Sequence, residues 1–165
     1  ISPFPLKYTK KITDAQKFRK LCESKIKKPI SGFKAAGTGL PVLKKFAEKN
    51  FLISLPVISA SNQMNFFNWS SDAHLKINSM GIPEPVSTKI IYPDLIIVPL
   101  VGFDKNKFRL GYGGGYYDRY IEKVGKLKKF KTVGLSFSFQ EIEKLPVNKF
   151  DKKLDFIITE NKIYS

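Results

Sequence analysis

The chain has 165 residues, 42% of them hydrophobic and 26% charged, including 14 Phe, 7 Tyr and 1 Trp, which fits one globular domain and excludes disorder and collagen-like repeats. No apolar run approaches the roughly 18 residues that span a bilayer, and Ile1-Ser2-Pro3-Phe4-Pro5 lacks a signal pattern, so a soluble, cytoplasmic protein is expected; a lone Cys22 and a lone His74 exclude an internal disulfide, a Cys/His zinc site and a Cys–His nucleophile pair. The formal charge of +15 attracts anions without choosing among them, and because only Arg19, Arg109 and Arg119 are arginine it reads mainly as a lysine-rich solvated surface.

In chain order, Phe18, Leu21, Cys22 and Ile26 fall at helical spacing after a Thr13 or Asp14 cap, which makes Cys22 a small buried hydrophobe. Pro29 ends that segment. Ile30 to Lys34 reads as a short strand, Leu40 to Lys49 as a helix closed by Asn50, and Phe51 to Ile58 as a strand. Met64, Phe66, Phe67 and Trp69 form an apolar-aromatic cluster in which core packing is the reading for Phe67, and His74 reads as a surface residue. Gly81 to Pro85 reads as a rigid turn. Asp94 to Phe103 is a stronger apolar run without polar alternation, as in strands covered on both faces. Tyr117, Tyr120, Ile121 and Val124 mark a helix ending near Gly125; Lys131 to Phe137 and Leu154 to Thr159 are further strands, separated by a helical turn within Phe139 to Leu145. About five strands interleaved with helices predict an α/β chain, a three-layer α/β/α sandwich with a mostly parallel central sheet.

The segment Arg109-Leu110-Gly111-Tyr112-Gly113-Gly114-Gly115-Tyr116-Tyr117-Asp118-Arg119 carries four glycines in five residues between a buried strand and a helix. Residues without a Cβ let backbone N–H groups approach an anion, and the helix adds the positive end of its dipole. Phosphate is the natural occupant, with Arg109 neutralising its charge and Asp118 placed to hold a Mg²⁺ that bridges phosphate oxygens. The loop lacks the GK[ST] ending of a Walker loop and the distal acid of a dinucleotide fingerprint. Two other readings stand beside it: a tight turn with no ligand, and a glycine-aromatic RNA-binding segment.

The residues Asp94-Leu95-Ile96-Ile97-Val98-Pro99, Phe103-Asp104 and Arg109 to Arg119 resemble the 5-formyltetrahydrofolate cyclo-ligase (methenyltetrahydrofolate synthetase) family in order and spacing. Leu55-Pro56-Val57, Met64, Phe66, Gly81-Ile82-Pro83-Glu84-Pro85, Gly134-Leu135-Ser136-Phe137, Gln140, Leu145-Pro146 and Asp151 through Asp155 to Thr159-Glu160 support it. The resemblance implies a Rossmann-like sandwich and the ATP- and Mg²⁺-dependent closure of 5-formyltetrahydrofolate to 5,10-methenyltetrahydrofolate, with release of ADP and phosphate. It implies ATP binding at Arg109, Leu110, Gly111, Tyr112, Gly113, Gly114, Gly115, Tyr116 and Tyr117, and folate binding at Met64, Phe66 and Tyr112 through Tyr116. Catalytic roles fall to Arg109 and Tyr116, and magnesium to Asp118 and Asp151.

The expected partners are therefore 5-formyltetrahydrofolate and ATP. No membrane is expected, nucleic acid is disfavoured, and the chain reads as a monomer forming a single domain over residues 1–165, with a truncated N-terminal helix and a gene start lying upstream as two open alternatives. Gly39 stands where the family usually carries a folate-contacting glutamate. The competing functions are a catalytically weak or inactive folate- or nucleotide-binding relative and a basic nucleic-acid-binding module using Tyr112, Tyr116 and Tyr117.

Overall fold

The computed structural model describes residues 30–32, 39–59, 61, 63–79 and 81–165. The helix expected after Thr13, with Cys22, and the basic residues Lys10, Lys11, Lys17 and Arg19 lie outside the described residues. Strand β1 (Ile30–Gly32) is followed by helix α1 (Gly39–Ala47), whose first residue is Gly39. Asn50 closes the turn after α1 at φ 60°, a conformation asparagine tolerates. Then come β2 (Ile53–Ile58), β3 (Met64–Trp69), β4 (Leu75–Ile77), β5 (Pro83–Pro85), β6 (Ile90–Ile91), β7 (Leu95–Val98), β8 (Gly102–Phe103) and β9 (Arg109–Leu110). Helix α2 (Tyr116–Gly125), β10 (Lys131–Leu135), a 3₁₀ turn at Ser138–Gln140, β11 (Phe156–Ile158) and β12 (Ile163–Tyr164) complete the order.

The main sheet runs β12-β11-β10-β7-β1-β2-β3-β6. Its central strands β11, β10, β7, β1 and β2 are mutually parallel, whereas β12, β3 and β6 add antiparallel edges. The fold is thus a mixed α/β fold, and the expected mostly parallel sheet holds only at its centre. The reason is connection length. Parallel neighbours need a crossover, while the short links 59–63 and 159–162 can only return the chain as hairpins. The single strand expected over 94–103 is also divided, because Pro99 has no N–H to continue a ladder and the chain bends before β8.

Alternation along β7 places the helices. Leu95 and Ile97 pack with Leu43 and Phe46 of α1, and Ile96 and Val98 pack with Tyr117, Tyr120 and Val124 of α2. Successive strand side chains point to opposite faces, so the two described helices cover opposite sides of the sheet, which explains the unbroken apolar run. Of the aromatic pair on β3, Phe66 is fully buried beneath α2, with ring centroids 4.9 Å from Tyr120 and 6.3 Å from Tyr117, while Phe67 is half-buried. His74 is exposed, as expected.

One ion cluster ties β10 to β11. Asp155 accepts from Lys131 Nζ at 2.8 Å and from the Thr132 N–H and hydroxyl at 2.9 and 2.8 Å. Burial alone would raise this carboxyl's pKa, but the Lys131 and Thr132 hydrogen bonds outweigh it and hold the value below the ordinary 3.8. A depressed carboxyl stabilises the fold above its unfolded pKa and loses that contribution as pH falls through the folded value. Asp155→Asn is therefore expected to lower the neutral-pH melting temperature and to flatten the acid limb below about pH 4, read from melting curves across pH; an unchanged limb would remove Asp155 from acid unfolding.

Candidate active site

The chain crosses from β1 to β2 through α1 on one face and from β7 to β10 through α2 on the other, so the sheet reverses direction between β1 and β7. In open α/β sheets ligands bind outside the carboxyl ends of the strands at such a switch point. The glycine loop lies on this side, reached from the end of β7 through the β8–β9 hairpin and leading into α2.

The loop's geometry explains most of its glycines. Gly113 and Gly115 sit at φ 85° and 60°, where side chains are disfavoured. A Cβ on Gly111 would lie 2.5 Å from Arg109 Nη1, one on Gly114 2.5 Å from Tyr116 Cε2, and one on Gly115 2.8 Å from Arg119 Nη1. Tyr112 projects from the loop at 74% exposure, Tyr116 is half-buried, and Tyr117 is buried.

The two residues expected to meet phosphate and magnesium meet each other. Arg109 Nη2 donates to Asp118 Oδ2 at 2.6 Å, with side chains only 8% and 16% exposed. This ion pair clasps the loop, joining the residue before it to the first turn of the helix after it. Arg109 Nε is buried without a hydrogen-bond partner among the described residues. The Lys152 N–H donates to Asp118 Oδ1 at 3.1 Å, and Lys152 Nζ reaches Glu122 Oε2 at 3.2 Å. Asp151, one residue earlier, accepts from the Asn148 N–H at 2.7 Å. The structure thus brings the Asp151 segment against Asp118.

Carboxylate oxygens suit a hard cation such as Mg²⁺, which commonly takes one or two carboxylates and completes its shell with water and phosphate oxygens. The two bonds that Asp118 accepts leave lone-pair capacity free, since an ionised carboxylate offers about four acceptor sites. The donor set therefore fits magnesium. Among the described residues there is no group of three or more His, Cys, Asp or Glu that could hold a metal without a second ligand source.

Three residues quoted for the resemblance take structural roles that the sequence did not show. Asp104 is 1% exposed and organises the β8–β9 hairpin: Oδ1 accepts from Asn106 N at 2.9 Å and Phe108 N at 3.1 Å, and Oδ2 from Leu145 N at 3.4 Å. Lys107 O in the same hairpin receives Leu154 N at 3.0 Å. Asp104→Ala is expected to cost about 1–3 kcal/mol for each buried donor left unpaired, with Asp104→Asn milder because it keeps an acceptor; a urea melt reads the difference, and equal midpoints for Ala and wild type would sink the assignment. Gln140 adds a second tie, its Nε2 donating to Val101 O at 2.7 Å while its Oε1 accepts from Phe137 N at 2.9 Å. Glu84 is buried between two prolines, where Oε1 accepts from Asn78 Nδ2 at 2.7 Å and Ile58 N at 3.2 Å.

The expected folate residues are placed differently from the loop. Met64 pairs with Ile58 at the carboxyl end of β2, so it lies at the loop's end of the sheet, but it is only 5% exposed, and Phe66 has no exposed surface. The buried Tyr120 phenol is pushed well above its ordinary pKa by burial and by Tyr92.

A family model described as the 5-formyltetrahydrofolate cyclo-ligase family matches residues 9–160. The chain belongs to that family. It is 33% identical over 132 residues to the 5-formyltetrahydrofolate cyclo-ligase of Escherichia coli K12, covering 75% of this chain and 71% of the relative. The solution structure of the Aquifex aeolicus 5,10-methenyltetrahydrofolate synthetase superposes with TM-score 0.72 at 28% identity, covering 92% of this chain and 80% of the other. A Mycoplasma pneumoniae 5,10-methenyltetrahydrofolate synthetase, 22% identical, shares the fold at TM-score 0.64 over 89% of this chain and 82% of its own. The matched span contains the whole glycine loop and Asp118, Asp151 and Asp155. In this cyclo-ligase family member no helix among the described residues is long and apolar enough to cross a membrane.

Proposed function

We infer that the chain catalyses the ATP-dependent closure of 5-formyltetrahydrofolate to 5,10-methenyltetrahydrofolate. Family membership supports the reaction, and one observation carries the site: a four-glycine loop at the sheet's switch point, clasped by Arg109 and Asp118. The parallel centre and the opposed helices support a Rossmann-like core. The protein acts as a soluble, cytoplasmic monomer.

A formamide oxygen is a poor leaving group. In the reaction it attacks the γ-phosphorus of ATP, the oxygen–phosphorus bond to ADP breaks, and an imidate phosphate forms. The folate's N10 then attacks the activated carbon, loses its proton, and phosphate leaves as the ring closes. The enzyme forms no covalent bond to substrate; its tasks are alignment and charge stabilisation.

Backbone N–H groups of Gly111, Gly113, Gly114 and Gly115, with Leu110 and Tyr117 at the loop's ends, cradle the phosphates, and the Arg109 guanidinium, held by Asp118, adds positive charge beside them. Tyr112 and Tyr116 flank the folate, with Met64 behind it. Phe66, wholly buried, acts by supporting Tyr117 and Tyr120. Asp118 and Asp151 would hold Mg²⁺, which would neutralise phosphate charge.

The test follows the near-ultraviolet chromophore of the methenyl product with 5-formyltetrahydrofolate and MgATP. One ADP per product, with no signal when ATP or metal is omitted, is the expected result. A chain that binds both substrates and forms no product overturns the reading.

A further inference from the structure

Arg119 has no part in the reaction as derived above, yet it is one of only three arginines and it lies across the glycine loop. Its Nη1 donates to the Gly114 carbonyl at 3.0 Å, and its guanidinium carbon sits 5.0 Å from the centroid of the Tyr116 ring. The same Nη1 is the atom that a Cβ on Gly115 would meet at 2.8 Å, and the Tyr116 ring is what a Cβ on Gly114 would meet. Loop backbone, tyrosine ring and guanidinium therefore form one packed stack.

We propose that Arg119 is a positioning residue that fixes the Gly114–Gly115 peptide in the orientation that binds phosphate. A trans peptide is planar, so the Gly114 carbonyl and the Gly115 N–H point in opposite directions. With the carbonyl pinned to Arg119, the N–H is turned away from the arginine and is available to an anion. Between two glycines little opposes rotation of that peptide, and the rotated form presents a carbonyl oxygen, which repels phosphate. The guanidinium blocks that rotation in two ways: a charged hydrogen bond to the carbonyl and a flat face against Tyr116. Lysine can supply only the first. The inference rests on reading the loop as a phosphate cradle.

The test compares Arg119→Met and Arg119→Lys with the wild type. In Arg119→Met the KM for MgATP is expected to rise about tenfold or more, the lower end of what one charged hydrogen bond contributes, with a smaller change in kcat. Arg119→Lys should recover part of the loss. Amide NMR of the Gly115 N–H, recorded with inorganic phosphate and with MgATP, should show faster hydrogen exchange and a smaller ligand-induced shift in Arg119→Met, while the melting temperature stays near the wild-type value. An unchanged KM and an unchanged Gly115 signal overturn the proposal, as does a loss of activity matched by a loss of folded protein at constant KM. If Arg119→Met does not fold, the same readings on Arg119→Lys decide it. A wild type that binds MgATP but makes no methenyl product overturns the reaction assigned above, and the Gly115 signal still reports on the lock.

Discussion

Replacing Gly114 by valine is expected to lower kcat/KM for MgATP about a hundredfold, the cost of displacing a reacting group by an ångström, without unfolding the protein. A Cβ at this position would lie 2.5 Å from Cε2 and 2.7 Å from Cδ2 of Tyr116, closer than real contacts allow. The ring cannot yield without cost, because the Arg119 guanidinium carbon lies 5.0 Å from its centroid. Valine's two methyl groups add bulk where the backbone would approach phosphate. Gly113→Ala is the comparison: it has open space within 4 Å, so its penalty is that of a left-handed conformation alone, about 1–2 kcal/mol. Rates against MgATP, with melting by circular dichroism, separate the two. An undiminished affinity for MgATP in Gly114→Val would count against a backbone cradle.

Asp118→Asn is expected to reduce stability and metal response together. The carboxylate neutralises an arginine that is 8% exposed, and the asparagine leaves that charge without its anion, a loss of about 1–3 kcal/mol. The magnesium concentration for half-maximal rate should rise at least about tenfold, as for other losses at metal sites. Asp151→Asn should move the magnesium curve with a smaller loss of stability, because Asp151 caps its own loop through Asn148 rather than a buried arginine. A magnesium titration and a thermal melt of both variants supply the check. An Asp118→Asn protein with the wild-type curve and the wild-type melt would leave Asp118 neither clasp nor metal ligand.

These expectations differ in how much the chain order already contained. The strand–glycine loop–helix unit is contiguous, so Arg109 to Arg119 could be read as one anion-binding segment. The ends of α1 and α2 were legible for a similar reason, since an apolar stripe and a terminal Asn or Gly are local signals. Their partners were not. That Arg109 is held by Asp118 depends on a side chain folding back across Gly111, and that the Asp151 segment joins them depends on a hydrogen bond from Lys152 over 34 positions.

Two-residue strands such as β8, β9, β6 and β12 carry too few residues for a period to show. Core packing was expected of Phe67 and a folate wall of Phe66, yet Phe66 is the one wholly buried beneath α2 and Phe67 is half-buried, because register assigns neighbours to opposite faces. The sequence marked Asp104 and Glu84 only as part of the resemblance; what they do follows from the hairpins they organise, which bring backbone N–H groups to them from positions 2 to 41 residues away.

The amino-acid order by itself determined which residue types stand side by side, and hence the glycine loop, the two-faced apolar strands and the resemblance to cyclo-ligases. Tertiary structure alone decided which charges face one another, which aromatics lose all contact with water, and that the sheet turns antiparallel at its edges. Local conformation follows from each residue's own sterics and capping, whereas ion pairing, burial and strand direction are properties of distances that exist only once distant segments have been brought together.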